Sequence, residues 1–272
     1  DDEARARRRA AVVDLRRRLA EIDRDDARTL AELADVLTPR SVWAVGGDGW
    51  AYDIGYGGLD HVLASAHDVN VLVLDTEVYS NTGGQQSKAT PLGAVAKFAS
   101  AGKETRKKDL GLLAMSYGHV YVASVALQAR SRHTVETLLE ADRYPSSALG
   151  RAGNECISHG YDLVHSPAQQ ARAIKSGAWP LYRYDPRRQA AGEPPLVIDA
   201  DPTSMAMREY MEQEARFRMV EMRDPERFDH LVHLAEGAVR DRHALYEQLG
   251  RIRYPATATS PAPTADEEQH DG

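Results

Sequence analysis

Cysteine is scarce in this chain: among 272 residues there is one, Cys156. A single thiol excludes an internal disulfide framework and fits a reducing compartment, so we expect a cytoplasmic location. The chain also lacks an apolar run near the ~20 residues that a transmembrane helix needs. Its first residues, DDEARARRRAA, are charged where a signal peptide would be apolar. These absences predict a globular protein with no membrane partner.

Positive charge is also in deficit. The chain has 34 Lys and Arg residues against 41 Asp and Glu residues, a formal net charge of −7. This balance argues against nucleic acid as the main partner, because phosphate backbones are bound by a surplus of Lys and Arg. Hydrophobic residues make up 42% of the chain, which is enough to fill the core of one large domain or two small ones.

The chain contains a β-α-β pattern between Ser41 and Asn81. Two short apolar runs, Val42–Val45 and Val69–Leu74, are bounded by turn residues and separated by a segment of helix length. We read both runs as buried parallel strands, which predicts an α/β fold with a mostly parallel sheet flanked by helices. Ligands of such sheets bind at the carboxyl ends of the strands, and a polar cluster follows each run.

The first polar cluster contains Gly47-Asp48-Gly49. Glycines on both sides of Asp48 let the backbone approach a large anion closely. A carboxylate repels phosphate, so the pattern favours a Mg²⁺ ion between them, with Thr76 offering a hydroxyl and Val78 a carbonyl from the second cluster. Taken alone, Gly-Asp-Gly is most often an ordinary turn. No GxGxxG follows the first run, which disfavours a dinucleotide site.

Three segments give the chain a family resemblance: GDGWAYDIGYGGLDHVLAS, DVNVLVLDTEVYSNTGGQQSKATPLGAVAKFASAGK and KKDLGLLAMSYGHVYVA. Over roughly Leu30 to Arg251 the sequence resembles the C-terminal thiamine-diphosphate-binding domain of the pyruvate:ferredoxin (flavodoxin) oxidoreductases. The resemblance implies thiamine diphosphate and Mg²⁺ as cofactors, with Asn81 as a catalytic residue near the reacting carbon. It implies cofactor binding by Gly47, Asp48, Gly49, Trp50, Thr76, Glu77, Val78, Tyr79, Ser80 and Asn81, and Mg²⁺ ligation by Asp48, Thr76 and the Val78 carbonyl.

The resemblance also gives Cys156 a role. Residues Cys156 to Gly160 match a Cys-Ile-x-His-Gly segment whose Cys is one ligand of a [4Fe-4S] cluster, and the family carries the other thiolates upstream. Residues 146–155 lack the family's apolar strand and proline, which predicts a weakened strand there. Its own surroundings alone favour a buried thiol acting as a small hydrophobe, whereas the matched segment favours the cluster ligand. His159 has no second Cys/His pair nearby and is predicted to be structural.

The activity implied by the resemblance is oxidative decarboxylation of pyruvate or a similar 2-oxo acid. CoA is the implied acyl acceptor, and ferredoxin or flavodoxin the electron acceptor. The family's activating glutamate comes from another domain and has no match here, so we expect this chain to be inactive alone. The missing initiator Met predicts that the chain is one piece of a longer polypeptide, and the resemblance implies that the complete enzyme is a homodimer. Two alternatives stay open: a non-redox thiamine-dependent decarboxylase or synthase, and an inactive relic cofactor-binding module.

The chain divides into three predicted regions: a helical lead-in over residues 1–40, the cofactor domain with C-terminal wrapping helices over 41–253, and a disordered tail over 254–272. In the lead-in, a second helix is predicted to turn Leu30, Leu33 and Leu37 inward. The tail is rich in Pro, Ser, Thr and acidic residues, a composition that does not fill a core.

Three further features carry predictions. Each glycine of the Gly57-Gly58 pair destabilises a helix by about 1 kcal/mol relative to alanine. Such a cost suggests that the helix backbone lies close to the sheet or to a ligand at this point. The segment Thr82–Ala94 is a candidate cofactor lid. The basic residues Lys103 and Arg106–Lys108 are read first as a solvated helix start, and alternatively as a contact for an acidic electron carrier or a CoA phosphate.

Overall fold

A six-stranded sheet lies at the centre of the protein in the computed structural model, which describes residues 2–38, 40–65, 67–201 and 204–255. The strands are β1 (Trp43–Gly47), β2 (Asn70–Asp75), β3 (Tyr121–Ala126), β4 (Ala148–Gly153), β5 (Tyr182–Tyr184) and β6 (Leu196–Ile198). Their order is β1-β2-β4-β3-β5-β6. The first four strands in this order are parallel, and β5 and β6 continue the sheet in antiparallel pairs. The predicted α/β fold with a mostly parallel sheet is confirmed.

Helices flank the sheet and supply its crossovers. They are α1 (Asp2–Ala20), α2 (Asp25–Leu33), α3 (Tyr56–Ala64), α4 (Leu110–Met115), α5 (Ser131–Asp142), α6 (Ser166–Lys175), α7 (Arg187–Ala190), α8 (Met207–Met211), α9 (Ala215–Arg223) and α10 (Pro225–Leu249). α3 connects β1 to β2 and α5 connects β3 to β4. Among these described helices, none has both the length and the apolar character that a bilayer crossing requires.

The long helix α10 begins at a capped N-terminus. Asp224 precedes it, and one of its carboxylate oxygens accepts a hydrogen bond from the backbone N–H of Arg227 at 3.0 Å. Pro225 occupies the first turn, where its missing N–H costs nothing. The helix then serves two apolar clusters: Tyr246 packs in the main core beside the sheet, and Leu231 in a second core formed with α8 and α9.

The strand β1 lies at the edge of the sheet, and the prediction of a buried run at Val42–Val45 is wrong. Val42 is 50% exposed and Val45 is 59% exposed. Hydrophobic sequence predicts burial only if the strand is covered on its faces, and an outer strand is covered less than a central one.

The strand β4 corrects the expectation of a weakened strand at residues 146–155. It pairs with β2 on one side and β3 on the other, and all six of its residues are buried. Its small residues suit this central position, since a Cβ on Gly150 would already lie 3.4 Å from the side chain of Leu72. A crowded sheet centre therefore accepts a strand in which Leu149 is the one large apolar residue.

Two predictions about the helices are also wrong. Leu30, Leu33 and Leu37 do not face a core: they are 44%, 55% and 53% exposed. Gly57 and Gly58 in α3 are exposed, and a Cβ on either would meet no described atom within 4 Å. The predicted region boundaries stay predictions, and the predicted tail lies outside the described residues from position 256 onward.

Candidate cofactor and magnesium site

The three predicted magnesium ligands meet at the carboxyl ends of β1 and β2. The strands are parallel neighbours, with Gly47 opposite Leu74, so the residues that follow each strand share one edge of the sheet. The Thr76 hydroxyl lies 2.8 Å from Asp48 Oδ1 and 3.2 Å from the Val78 carbonyl oxygen. A carboxylate, a hydroxyl and a carbonyl within one hydrogen-bonded set are oxygen ligands of the kind that Mg²⁺ takes.

The Asp48 carboxylate is buried, with 2% of the residue exposed. Burial and then the charge of Asp75 raise the pKa of Asp48 to about 6, although hydrogen bonds from Thr76 act in the opposite direction. Within the described residues, no Lys or Arg nitrogen forms an ion pair with this carboxylate. A buried anion with no paired cation is a fitting ligand for a divalent metal ion, which would supply the missing charge.

The glycines around Asp48 differ in their surroundings. A Cβ on Gly47 would meet no described atom within 4 Å, so the space beside this residue is available to a bound diphosphate. A Cβ on Gly49 would lie 2.5 Å from a ring carbon of Tyr79, so the packing of Tyr79 is sufficient to require glycine at this position. Residues Gly49–Ile54 form one turn of π-helix, a rare conformation that is frequent at functional sites.

The turn that carries Thr76 and Val78 is held by internal charges. Glu77 has a left-handed backbone with φ of 62°. Its carboxylate accepts from Lys107 Nζ at 2.9 Å and from Arg216 at 2.7 Å, and its backbone N–H donates to Asp75 at 3.1 Å. Burial acts to raise the pKa of Glu77, but Lys107 and Arg216 outweigh it, so the pKa is lowered. The side chain of Glu77 is thus used internally, which leaves its main chain for the predicted cofactor contact.

Behind the turn lies a buried charge network that sequence reasoning missed. Asp75 is fully buried and accepts from the Tyr52 hydroxyl at 2.6 Å and from Lys107 at 2.9 Å. Arg216 bonds Glu214 at 2.6 Å in addition to its contact with Glu77. The partners are up to 139 residues apart, so no local pattern could have revealed the pairs.

His159 has the structural role predicted for it. Its Nε2 lies 2.8 Å from the backbone carbonyl oxygen of Thr76, and because a carbonyl can only accept, Nε2 carries the proton. Burial lowers the pKa of His159, which favours the neutral ring. The ring therefore fixes the strand end that presents the Thr76 hydroxyl.

Cys156 lies beside the same turn. It is 4% exposed, and its Sγ lies 3.1 Å from the Ser80 hydroxyl and 3.4 Å from the Ser158 N–H. Burial acts to raise the thiol pKa, but hydrogen bonds from Ser158 and Ser80 outweigh it, so the pKa is lowered. The part of the chain that the structure describes holds no cluster of three or more His, Cys, Asp or Glu side chains suited to a metal. Among the described residues, Cys156 is therefore not part of a set of side chains that could hold a metal by itself.

The remaining residues predicted to bind the cofactor differ in their exposure to solvent. Trp50 is partly buried and packs against Gly46 and Gly55, where a Cβ would lie 2.5 Å and 2.0 Å from its ring. Ser80 and Asn81 are exposed at the end of the turn. Asn81 is thus accessible from solvent on the side of the sheet where the cofactor would bind.

The predicted lid is only partly a surface loop. Thr82 and Gly83 are exposed, but Ala89, Thr90 and Ala94 are buried in the body of the protein. Only the first part of the segment has the exposure that a lid needs.

The basic residues after this loop do not form a solvated helix start. Lys103 is 8% exposed, and Lys107 is bonded to Asp75 and Glu77. Lys103 is buried and Lys107 is already paired, whereas Arg106 keeps 60% of its side chain exposed. The alternative interpretation, a contact for an acidic electron carrier or a CoA phosphate, stays a prediction.

Comparison with known proteins agrees with this geometry. Residues 29–146 match the family model described as thiamine pyrophosphate enzyme, C-terminal TPP binding domain. The chain is 53% identical over 252 residues to a pyruvate-flavodoxin oxidoreductase of Rhodospirillum rubrum, covering 93% of this chain and 21% of that protein. It is 50% identical over 215 residues to a pyruvate:ferredoxin oxidoreductase of Moorella thermoacetica, covering 79% of this chain and 18% of that protein.

A solved structure is also similar in part. The 2-oxoglutarate:ferredoxin oxidoreductase from Magnetococcus marinus aligns with a TM-score of 0.40 and 20% sequence identity, over 49% of this chain and 52% of that chain. The chain spans about one fifth of the length of the curated relatives it matches. Residues 29–146 are therefore similar to the C-terminal TPP binding domain of thiamine pyrophosphate enzymes, and most of the chain is similar to about one fifth of the pyruvate-flavodoxin and pyruvate:ferredoxin oxidoreductases.

Proposed function

We propose that this chain binds thiamine diphosphate through Mg²⁺ at the carboxyl ends of β1 and β2. The observation that carries the proposal is the convergence of Asp48, Thr76 and the Val78 carbonyl, with a buried carboxylate that no cation of the described residues pairs with. Asp48, Thr76 and Val78 would hold the metal ion, and the open space at Gly47 would admit the diphosphate. When bound, thiamine supplies a carbanion and an electron sink that no amino-acid side chain provides.

The chain's own residues position these groups. Thr76 donates to Asp48 from both its backbone N–H, at 3.2 Å, and its hydroxyl, at 2.8 Å, which fixes the carboxylate. His159 holds the Thr76 carbonyl, and Lys107 holds Asp75 at the end of β2. Fixed ligands lose little freedom when they bind, so the network behind the turn favours cofactor affinity.

For the complete enzyme we propose oxidative decarboxylation of pyruvate to acetyl-CoA and CO₂, with electrons passed to flavodoxin or ferredoxin. The named activities of the relatives support this reaction. The proposal includes a homodimeric assembly in the cytoplasm, with the other domains supplied outside these 272 residues. Asn81, exposed beside the turn, is proposed as the catalytic residue that faces the substrate.

We also propose Cys156 as one ligand of a [4Fe-4S] cluster. Its position supports this: the Sγ lies against Ser80, in the turn proposed to wrap the cofactor, and Ile157 beside it is 80% exposed. An N–H that donates to the sulfur, here from Ser158, is one of the contacts that tune such clusters.

The test of cofactor binding is calorimetric titration of the 272-residue chain with thiamine diphosphate, with and without Mg²⁺. Asp48→Ala should abolish the Mg²⁺-dependent affinity, because the ion loses its charged protein ligand. Glu136→Ala is the matched control, since this surface carboxylate on α5 lies outside the site. Unchanged affinity in Asp48→Ala would overturn the assignment.

Iron analysis of the complete enzyme separates the alternatives. A non-redox decarboxylase or synthase would turn over with thiamine bound and no iron. A relic binding module would bind thiamine and show no turnover.

A further inference from the structure

A cavity of about 390 Å³ lies beside the cofactor site, and half of the residues that line it are cationic. Four basic side chains contribute to its wall: Lys88, Lys103, Arg106 and Lys108. Asp53 is the single acidic residue in that lining. The whole chain carries a net charge of −7, so this concentration of positive charge runs against the general balance of the protein. A local surplus of this kind attracts anions to the cavity.

The most informative of these cations is Lys103, which is 8% exposed. Its Nζ donates to two backbone carbonyls, Ser87 at 3.1 Å and Thr90 at 2.7 Å. An ammonium group has three donors, so one is left for the cavity that Lys103 lines. No carboxylate of the described residues forms an ion pair with it. Because a buried charge without a counter-ion costs several kcal/mol, an anion in the cavity would relieve this cost.

The protonation state of Lys103 is compatible with that role. Burial and then the charge of Lys107 lower the pKa of Lys103 to about 8. The group is therefore still mostly charged at pH 7, and an anion bound beside it would raise its pKa again.

The other cations surround the cavity at different depths. Lys88 is paired with Asp53 at 3.0 Å but has 63% of its side chain exposed. Lys108 donates to the Tyr52 carbonyl at 3.1 Å, and Arg106 is paired with Asp241 at the surface. Hydroxyl groups of Ser87 and Thr105 complete the polar wall. Several cations with hydroxyl and amine donors are the groups that recognise phosphate.

We propose that this cavity binds the phosphate group of a small phosphorylated ligand, at a site separate from the cofactor diphosphate. The inference rests on the proposed function, since it places a second ligand next to the cofactor. Separation follows from the wall: none of Asp48, Thr76 and Val78 lines the cavity. Ser87 stands between the two sites, with its hydroxyl 3.5 Å from Asp48 Oδ2 and its carbonyl bonded to Lys103.

The test uses inorganic phosphate as the probe on the 272-residue chain, titrated by calorimetry at constant ionic strength. We expect saturable binding that Lys103→Met weakens by about tenfold or more, the effect of losing one hydrogen bond to a charged group. Lys175→Gln is the control, because Lys175 is an exposed lysine on α6 outside the cavity. If Lys103→Met does not fold by circular dichroism, the double variant Lys88→Gln/Arg106→Gln replaces it, with the same expected direction.

Two further titrations distinguish binding in this cavity from binding at the cofactor site. Phosphate binding should persist in the presence of saturating thiamine diphosphate and Mg²⁺, and it should persist in Asp48→Ala even though cofactor binding fails there. Loss of phosphate binding when the cofactor is added would identify the cavity as part of the diphosphate site and overturn the proposal. Phosphate binding that is absent, or that falls equally in Lys175→Gln, would overturn it as well.

Discussion

Replacing Asp48 by Asn should make the cofactor-free protein more stable while removing cofactor binding. The substitution keeps the shape of the side chain, and the Asn carbonyl oxygen can still accept from Thr76. What it removes is a buried negative charge that no described cation pairs with. A residue kept for metal binding should cost stability when the metal is absent, as functional sites often do.

The size of the effect follows from the pKa of Asp48. Its rise from 3.8 to about 6 is about 2 pKa units, which at ~1.36 kcal/mol per unit corresponds to at most about 3 kcal/mol. The folded protein holds this proton more tightly than the unfolded chain. Wild-type stability therefore falls as the pH rises from about 4 through 6, and the full difference from Asp48→Asn is present at pH 7.5.

Urea unfolding of both proteins, followed by circular dichroism at pH 4 and pH 7.5, measures the prediction. The variant should gain stability over wild type at pH 7.5 and show little gain at pH 4. Adding thiamine diphosphate with Mg²⁺ should stabilise wild type, by about 2.7 kcal/mol at a hundredfold excess over Kd, and leave the variant unchanged. A variant that is less stable at pH 7.5 and still responds to the cofactor would refute the reasoning.

Three further predictions test other parts of the site. Gly47→Ala should leave the free energy of unfolding of the cofactor-free protein nearly unchanged, because a Cβ there meets no described atom within 4 Å, yet weaken thiamine diphosphate binding in a titration. Cys156→Ser in the complete enzyme should lower the iron content by one cluster while thiamine stays bound; an unaltered EPR spectrum of the reduced clusters would contradict this. Arg216→Met should destabilise the fold by about 3–5 kcal/mol in urea unfolding, since it leaves Glu77 with Lys107 alone and removes the cation that pairs with the buried Glu214. Adding Glu77→Gln should recover part of that loss, and no recovery would mean that the two residues are not coupled.

The local parts of the site could be predicted from sequence. The ends of β1 and β2 are set by short apolar runs, and parallel pairing brings Asp48 and Thr76 together without any information from distant residues. The order of the strands could not be predicted in this way. β1 looks buried by composition but lies at the edge, whereas β4 looks weak because it contains Gly150 and Arg151, yet it lies in the middle of the sheet.

The buried ion pairs of Lys107 and Arg216 could not be predicted either, because they also depend on how distant segments of the chain pack together. The basic residues near Lys107 resemble a surface cluster in the sequence because the anions that neutralise Lys107 come from other elements. Asp75 precedes Lys107 by 32 residues, and Glu77 precedes Arg216 by 139. Burial of a charged side chain depends on such partners, so it follows from the tertiary fold and has no local signature.

The edge position of β1 has a consequence for how this chain behaves in solution. An outer strand presents a row of main-chain donors and acceptors that can pair with another extended segment. Here the row is flanked by Val42 and Val45, both at least half exposed, and no lysine or proline interrupts the strand from Trp43 to Gly47. We therefore expect self-association along this strand as the protein concentration rises, and a lysine at Val45 should suppress it.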